Sequence, residues 1–137
     1  MKPDRLKRIP LFEGLSVQDL DRLATWTDEI DVPSGKNLIT QGTFAHEFMV
    51  IEEGTAEVSH DGQRLADMGP GDFFGEMALL SHHPRMASVV ATSDLTLVVM
   101  HERNFRAMEE AVPTVANRIA KVIAERERLA KERGIET

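Results

Sequence analysis

At 137 residues, 42% of them apolar and 28% charged, the chain has the size and composition of one soluble globular domain able to bury its own hydrophobic core. It contains no cysteine, which excludes disulfides, zinc–thiolate sites and cysteine nucleophiles. The net charge of −7 is unevenly spread: residues 1–10 carry +3, residues 101–137 carry +1, and residues 11–100 carry −11, with Arg22, Lys36, Arg64 and Arg85 as the basic groups of that middle. A middle this acidic repels polyanions, so nucleic acid is not an expected partner.

The opening "MKPDRLKRIP" is basic but is followed by no apolar segment, so it does not read as a secretory signal. No apolar run approaches the roughly 18 residues of a membrane span. "LTLVVM" (95–100) is strand-length. The expectation is a cytoplasmic protein with no membrane segment.

"GLSVQDLDRLATW" (14–26) reads as an amphipathic helix. Ser16 and Asp19 have capping-box spacing, Leu15 and Leu20 stand where a hydrophobic staple forms, and Leu20, Leu23, Ala24 and Thr27 share a face. From about residue 28 to 100 the period shortens. The runs "NLIT", "EFMVI", "AEVSH", "QRLADM", "ASVVA" and "LTLVVM" are punctuated by Pro33-Ser34-Gly35, Gly42, Glu53-Gly54, Asp61-Gly62, Gly69-Pro70-Gly71-Asp72 and Pro84. Asp61-Gly62 between two alternating runs is a strong two-residue hairpin signal. Many short strands with regular turns predict an antiparallel barrel or jelly roll. Helical periodicity returns in "ERNFRAMEEA", and Pro113 then opens a longer helix. Its apolar positions are Val115, Ile119, Val122 and Leu129, with Arg126 interrupting the stripe, and its charged end reads as solvated.

One domain, 1–137, is therefore expected: a helical segment over 1–27, a β-barrel over 28–100, and C-terminal helices over 101–133. The fold class is mainly β with flanking helices, in a jelly-roll or double-stranded β-helix arrangement.

Within the barrel, "FGEMALLSHHPRMASVV" (74–90) breaks the strand pattern. "GEMALLS" is rich in helix formers and reads as one helical turn entered through Gly75. Its unpaired backbone N–H groups would form an anion-binding concavity. The tight reversal "SHHP" would bring Arg85 back towards them. A guanidinium offers a planar fork of donors with a permanent charge, which suits a phosphate monoanion. Glu76 cannot hold a phosphate by its own charge, but a carboxylate accepts well from a neighbouring sugar hydroxyl. The plainer alternative is that Glu76 and Arg85 pair with each other at the surface.

The chain resembles the cyclic nucleotide-binding domain family of catabolite-activator-type regulators, cyclic-nucleotide-dependent kinases and cyclic-nucleotide-gated channels. Phe74-Gly75-Glu76-Met77-Ala78-Leu79, followed by Pro84-Arg85-Met86-Ala87-Ser88-Val89, is similar to the family's phosphate-binding cassette, placed here at 74–89. "IPLFEGLS", "VPSGKNLITQG" and "FMVIEEGTAEV" are similar to its N-terminal helical segment and early strands. The resemblance covers roughly residues 9 to 125 and implies a ligand site made by Phe74, Gly75, Glu76, Met77, Ala78, Arg85, Met86 and Ala87. In that scheme Glu76 accepts from the ribose 2′-hydroxyl and Arg85 pairs with the cyclic phosphate. Backbone N–H groups near Met77, Ala78 and Met86 complete the cradle, Gly75 allows close approach, and Leu79 reports occupancy to the C-terminal helices.

Met86 stands where the family often has Ser or Thr, the threonine serving guanine in cGMP-selective members. A thioether has no donor, so cAMP is favoured over cGMP. C-terminal side chains that would cap the base by cation–π stacking are Arg118, Lys121 or Arg126.

Other features carry less. Adjacent residues on a turn point apart, so His82-His83 is not expected to bind metal, and His46, His60 and His101 read as surface or strand-edge residues. "HEFMVIE" lacks the paired histidines of metal-binding cupins, and no Ser/His/Asp arrangement appears. Neither catalysis, a metal nor a cofactor is expected. The stripe on the last helix has coiled-coil spacing, allowing a homodimer, or it covers the open end of the barrel in the same chain.

The expected function is that of a cyclic nucleotide sensor or regulatory module whose C-terminal helices move when ligand binds. It would act on an unidentified effector protein or domain, either alone or as part of something larger. The alternatives are a ligand-independent interaction domain on the same fold and a small cupin-type enzyme.

Overall fold

In the computed structural model, which describes residues 2–42, 47–75 and 87–132, eight strands among the described residues form two four-stranded antiparallel sheets. The strands are β1 (Asp28–Val32), β2 (Asn37–Ile39), β3 (Glu47–Glu53), β4 (Ala56–His60), β5 (Gln63–Met68), β6 (Phe73–Phe74), β7 (Ser88–Ala91) and β8 (Leu95–His101). The first sheet has the order β1-β8-β3-β6 and the second β2-β7-β4-β5. Helices precede and follow them: α1 (Pro3–Leu6), a 3-10 turn (Pro10–Phe12) and α2 (Val17–Trp26), then α3 (Glu102–Ala111) and α4 (Pro113–Glu132).

The turn chemistry acts as expected. Asp61 and Gly62, with φ of 51° and 77°, close the β4–β5 hairpin in the doubly positive geometry that matches strand twist, leaving His60 opposite Gln63. Ser16 caps α2, its Oγ accepting from the Asp19 N–H at 3.1 Å. Leu20 and Leu23 are buried on the face turned to the sheet, and the Thr27 hydroxyl donates to the Leu23 carbonyl at 2.8 Å. Pro113 begins α4, where its missing N–H costs no helical bond.

Two cores account for the strand compositions. Residues of both sheets (among them Ile39, Ile51, Phe74, Val89, Leu97 and Val99) fill the space between the sheets. The outer face of the first sheet, through Phe48, Val50, Phe73, Val98 and Met100, is covered by the flanking helices. Strands β3 and β8 are thus buried on both faces, which is why "FMVI" and "LVVM" are continuous apolar runs rather than alternating ones. The apolar stripe of α4 belongs to this outer core. Val115 and Ile119 are buried with α3 and the N-terminal segment, whereas Leu129 near the far end is exposed. Through these buried residues the stripe covers the outer face of the first sheet.

Strand β1 was not among the predicted runs. Four of its five residues are exposed, and it forms because Asp28 to Val32 pair with Val99 to Leu95 at the edge of the first sheet. Asp28, Glu29 and Asp31 there give the edge the charge that discourages pairing with another chain.

Arg5 ties α1 down across β8. It reaches Glu29 on β1 at 2.7 Å and Glu52 on β3 at 2.7 and 3.1 Å. Donation to Glu52 raises the guanidinium pKa above its ordinary value. The other carboxylate oxygen of Glu52 is buried without a hydrogen-bond partner among the described residues, so Arg5 supplies what neutralisation it receives there. Arg5→Met is expected to speed amide exchange across residues 3–13 and leave β3 and β8 protected, as followed by mass spectrometry.

Candidate functional site

The predicted ligand-binding stretch begins in one sheet and ends in the other. It leaves from β6, an edge strand whose start is set by the turn at Gly69–Asp72. Asp72 Oδ2 accepts from the Gly69 N–H at 2.8 Å, and the Asp72 carbonyl accepts from the Ile51 N–H at 2.8 Å, joining β6 to β3. Successive residues of the strand then point to opposite faces. Phe73 enters the outer core beneath the helices and Phe74 the core between the sheets, each 4% exposed. Gly75 follows with φ of 95°, a conformation that L side chains rarely adopt, so the turn out of β6 needs glycine.

The return is equally fixed. Ala87 is half-buried and leads into β7, where Val89 is buried between the sheets. Ser88 Oγ accepts from the Gln41 N–H at 2.9 Å. The Gln41 side chain exchanges two hydrogen bonds with Asp61, its Nε2 donating to Oδ1 at 2.8 Å and its Oε1 accepting from the Asp61 N–H at 2.9 Å. One glutamine thus joins the end of the stretch to the tip of the β4–β5 hairpin. Phe74, Gly75 and Ala87 therefore occupy the two mouths of the segment 76–86. Glu76, Met77, Ala78, Arg85 and Met86 lie outside the described residues, as do Leu79 and His46, His82 and His83.

The three arginine and lysine candidates on α4 differ. Arg118 is half-buried and its Nη1 donates to the Leu11 carbonyl at 2.9 Å, tying α4 to the N-terminal 3-10 turn. Lys121 is exposed. Arg126 lies over the Phe73 ring, its Cζ 4.9 Å from the centroid, and its Nη2 donates to the Phe73 carbonyl. Phe73 and this contact were missed in the sequence. The only trace is that Arg126 interrupts an otherwise apolar stripe. Of the remaining histidines, His60 lies 3.2 Å from its neighbour Asp61 and His101 is exposed at the end of β8. Among the described residues no group of three His, Asp or Glu side chains is placed to hold a metal ion.

The model of the cyclic nucleotide-binding domain family matches residues 29–111, which run from β1 to the end of α3 and include the stretch just described. The chain belongs to this family. Relatives align with most of its length. The cyclic AMP receptor protein of Thermus thermophilus is 32% identical over 130 residues, covering 91% of this chain and 60% of the receptor. The cAMP-dependent protein kinase regulatory subunit of Eremothecium gossypii is 35% identical over 106 residues, covering 77% of this chain and 23% of the subunit. The chain thus spans less than two thirds of either. Its fold is that of the cAMP-bound PfPKA-R structure, which superposes with a TM-score of 0.87 at 20% identity over 100% of this chain and 48% of the other. Among the described residues no helix is long and apolar enough to cross a membrane.

Proposed function

We propose that the chain is a cyclic nucleotide sensor, selective for cAMP over cGMP, that acts as a cytoplasmic regulatory module with no cofactor and no catalytic step of its own. One observation carries this reading. A glycine at φ of 95° leaves one sheet and Ala87-Ser88 enter the other, so strands of two different sheets flank the segment that holds Glu76 and Arg85, in a chain whose family match spans it. In this reading Arg85 pairs with the cyclic phosphate and Glu76 accepts from the ribose 2′-hydroxyl. Backbone N–H groups near Met77, Ala78 and Met86 complete the cradle. Phe74, Gly75 and Ala87 hold its ends. Leu79 passes the change to α3 and α4, which act on an effector protein, an appended domain or a second copy of the chain. Ligand drives that change only by as much as it prefers one arrangement over the other.

Titration of cAMP and of cGMP into the protein, followed by calorimetry, tests the reading; saturable cAMP binding supports it and heat from neither nucleotide overturns it. Trp26, the only tryptophan, is a second probe. It packs partly buried on the outer core, and its carbonyl accepts from Asn104 Nδ2 of α3 at 3.4 Å, so its fluorescence reports the α2–α3 contact. Met86→Thr is expected to improve cGMP binding relative to cAMP, because a hydroxyl replaces a group without a donor. An unchanged ratio removes the basis for naming adenine.

A further inference from the structure

Among the described residues, Arg118 and Arg126 of α4 each donate to a carbonyl outside the helix, and one of those carbonyls is on the strand that leads into the cassette. Strand β6 is the edge of its sheet. Carbonyls alternate in direction along a strand, and since that of Asp72 turns inward to the Ile51 N–H, that of Phe73 points off the open edge. Arg126 meets it there. Its Nη2 donates to the Phe73 oxygen while the guanidinium lies over the Phe73 ring. That ring is itself held. It packs on Phe48 with centroids 5.5 Å apart, and Phe48 stacks on Phe105 of α3 at 5.1 Å. Eight residues earlier, about two helical turns and so on the same side of α4, Arg118 holds the Leu11 carbonyl. Gly75, where the backbone turns out of the sheet, is two residues beyond Phe73.

We propose that Arg126 is a positioning residue that couples α4 to the entrance of the cassette, setting nucleotide affinity through the Phe73 carbonyl and ring rather than through contact with the base. This rests on the cyclic nucleotide reading of the site. In this arrangement one face of the guanidinium is occupied by the Phe73 ring and one of its N–H donors by the Phe73 carbonyl. Held on Phe73, it fixes the end of β6, from which Gly75 and the cradle start. Whatever shifts the cassette entrance then shifts α4, and the reverse, as coupling between sites requires.

The two roles separate experimentally. Binding of cAMP, cGMP and cyclic CMP would be measured for the wild type, Arg126→Met, Arg126→Lys, Phe73→Leu and the Arg126→Met/Phe73→Leu double variant. Methionine keeps the apolar stem but loses the charge and the fork, lysine keeps the charge alone, and leucine removes the ring but not the carbonyl. Loss of one charge-assisted hydrogen bond implies about tenfold weaker binding for Arg126→Met. That factor should be the same for each nucleotide the wild type binds, smaller for Arg126→Lys, and less than multiplicative in the double variant. A loss confined to the purine nucleotides, a multiplicative double variant or unchanged affinity overturns the proposal.

A second measurement needs no ligand. Arg126→Met should speed amide exchange at residues 73–75 in the nucleotide-free protein while the β4–β5 hairpin stays protected, and unchanged exchange there overturns the coupling. If the wild type binds none of the three nucleotides, the cyclic nucleotide reading itself fails, and this exchange measurement still decides whether Arg126 governs the end of β6.

Discussion

Arg85→Ala is expected to weaken cAMP binding by about 2–5 kcal/mol, the range for removing one partner of a desolvated charge pair. At 1.4 kcal/mol per tenfold that is roughly 30-fold to several thousand-fold in affinity. The size follows from the surroundings. Residues 11–100 carry −11, so an anionic ring entering this part of the protein meets repulsion that neutral N–H donors alone offset poorly. Arg85 is one of only four basic residues in that span. Arg85→Lys should fall between the wild type and alanine, because an ammonium keeps the charge but loses the fork that engages two phosphate oxygens at once. Calorimetric titration at one fixed salt concentration reads both, and raising the salt should narrow the gap. Affinity close to that of the wild type in the alanine variant defeats the phosphate role of this residue. An equal drop for the uncharged nucleoside adenosine would point instead to general damage to the pocket.

What could be seen in the sequence was whatever is encoded locally. Asp61-Gly62 dictates a hairpin because two successive positive φ values suit very few residue pairs, and the hairpin is there. Ser16 announces the start of α2 because its hydroxyl satisfies an N–H three residues on, and it does so. Strand β1 escaped because nothing local makes it a strand. "DEIDV" is mostly carboxylate, and its extended form comes from pairing with β8, sixty-odd residues away. Strand β6 is two residues long, too short for any periodicity. The same limit hid the tie between α4 and the sheet. An arginine in an apolar stripe is visible as an anomaly, but its partner is the backbone oxygen of Phe73, and a carbonyl has no letter of its own. The candidate site was named from the sequence for a different reason. The order Phe74-Gly75-Glu76 to Arg85-Met86-Ala87 matches a family pattern, and chemistry rather than periodicity dictates that pattern.

Phe48→Ala is expected to cost about 3–5 kcal/mol of folding stability, the range for emptying a buried aromatic site. Phe48 is 3% exposed on the outer face of β3, opposite Met100 in register, and its ring touches both Phe73 and Phe105. Each such aromatic pair adds about 0.5–1.5 kcal/mol beyond area burial. Relaxation is not expected to rescue the alanine variant, because a small apolar gap already lies beside the ring, lined by Leu11, Phe12, Val50, Val98, Met108 and others. A cavity that merges with an existing one is harder to close by collapse, which places the cost towards the upper end. A small domain has only about 5–15 kcal/mol in total, so the midpoint of urea unfolding should fall steeply while the slope stays constant. Phe48→Leu keeps most of the volume and should lose less. A midpoint shift worth under about 1 kcal/mol for alanine would mean that α3 and the sheet are held by the surrounding aliphatic contacts alone. The column Phe105–Phe48–Phe73 would then give the Arg126 seat its position but not its rigidity.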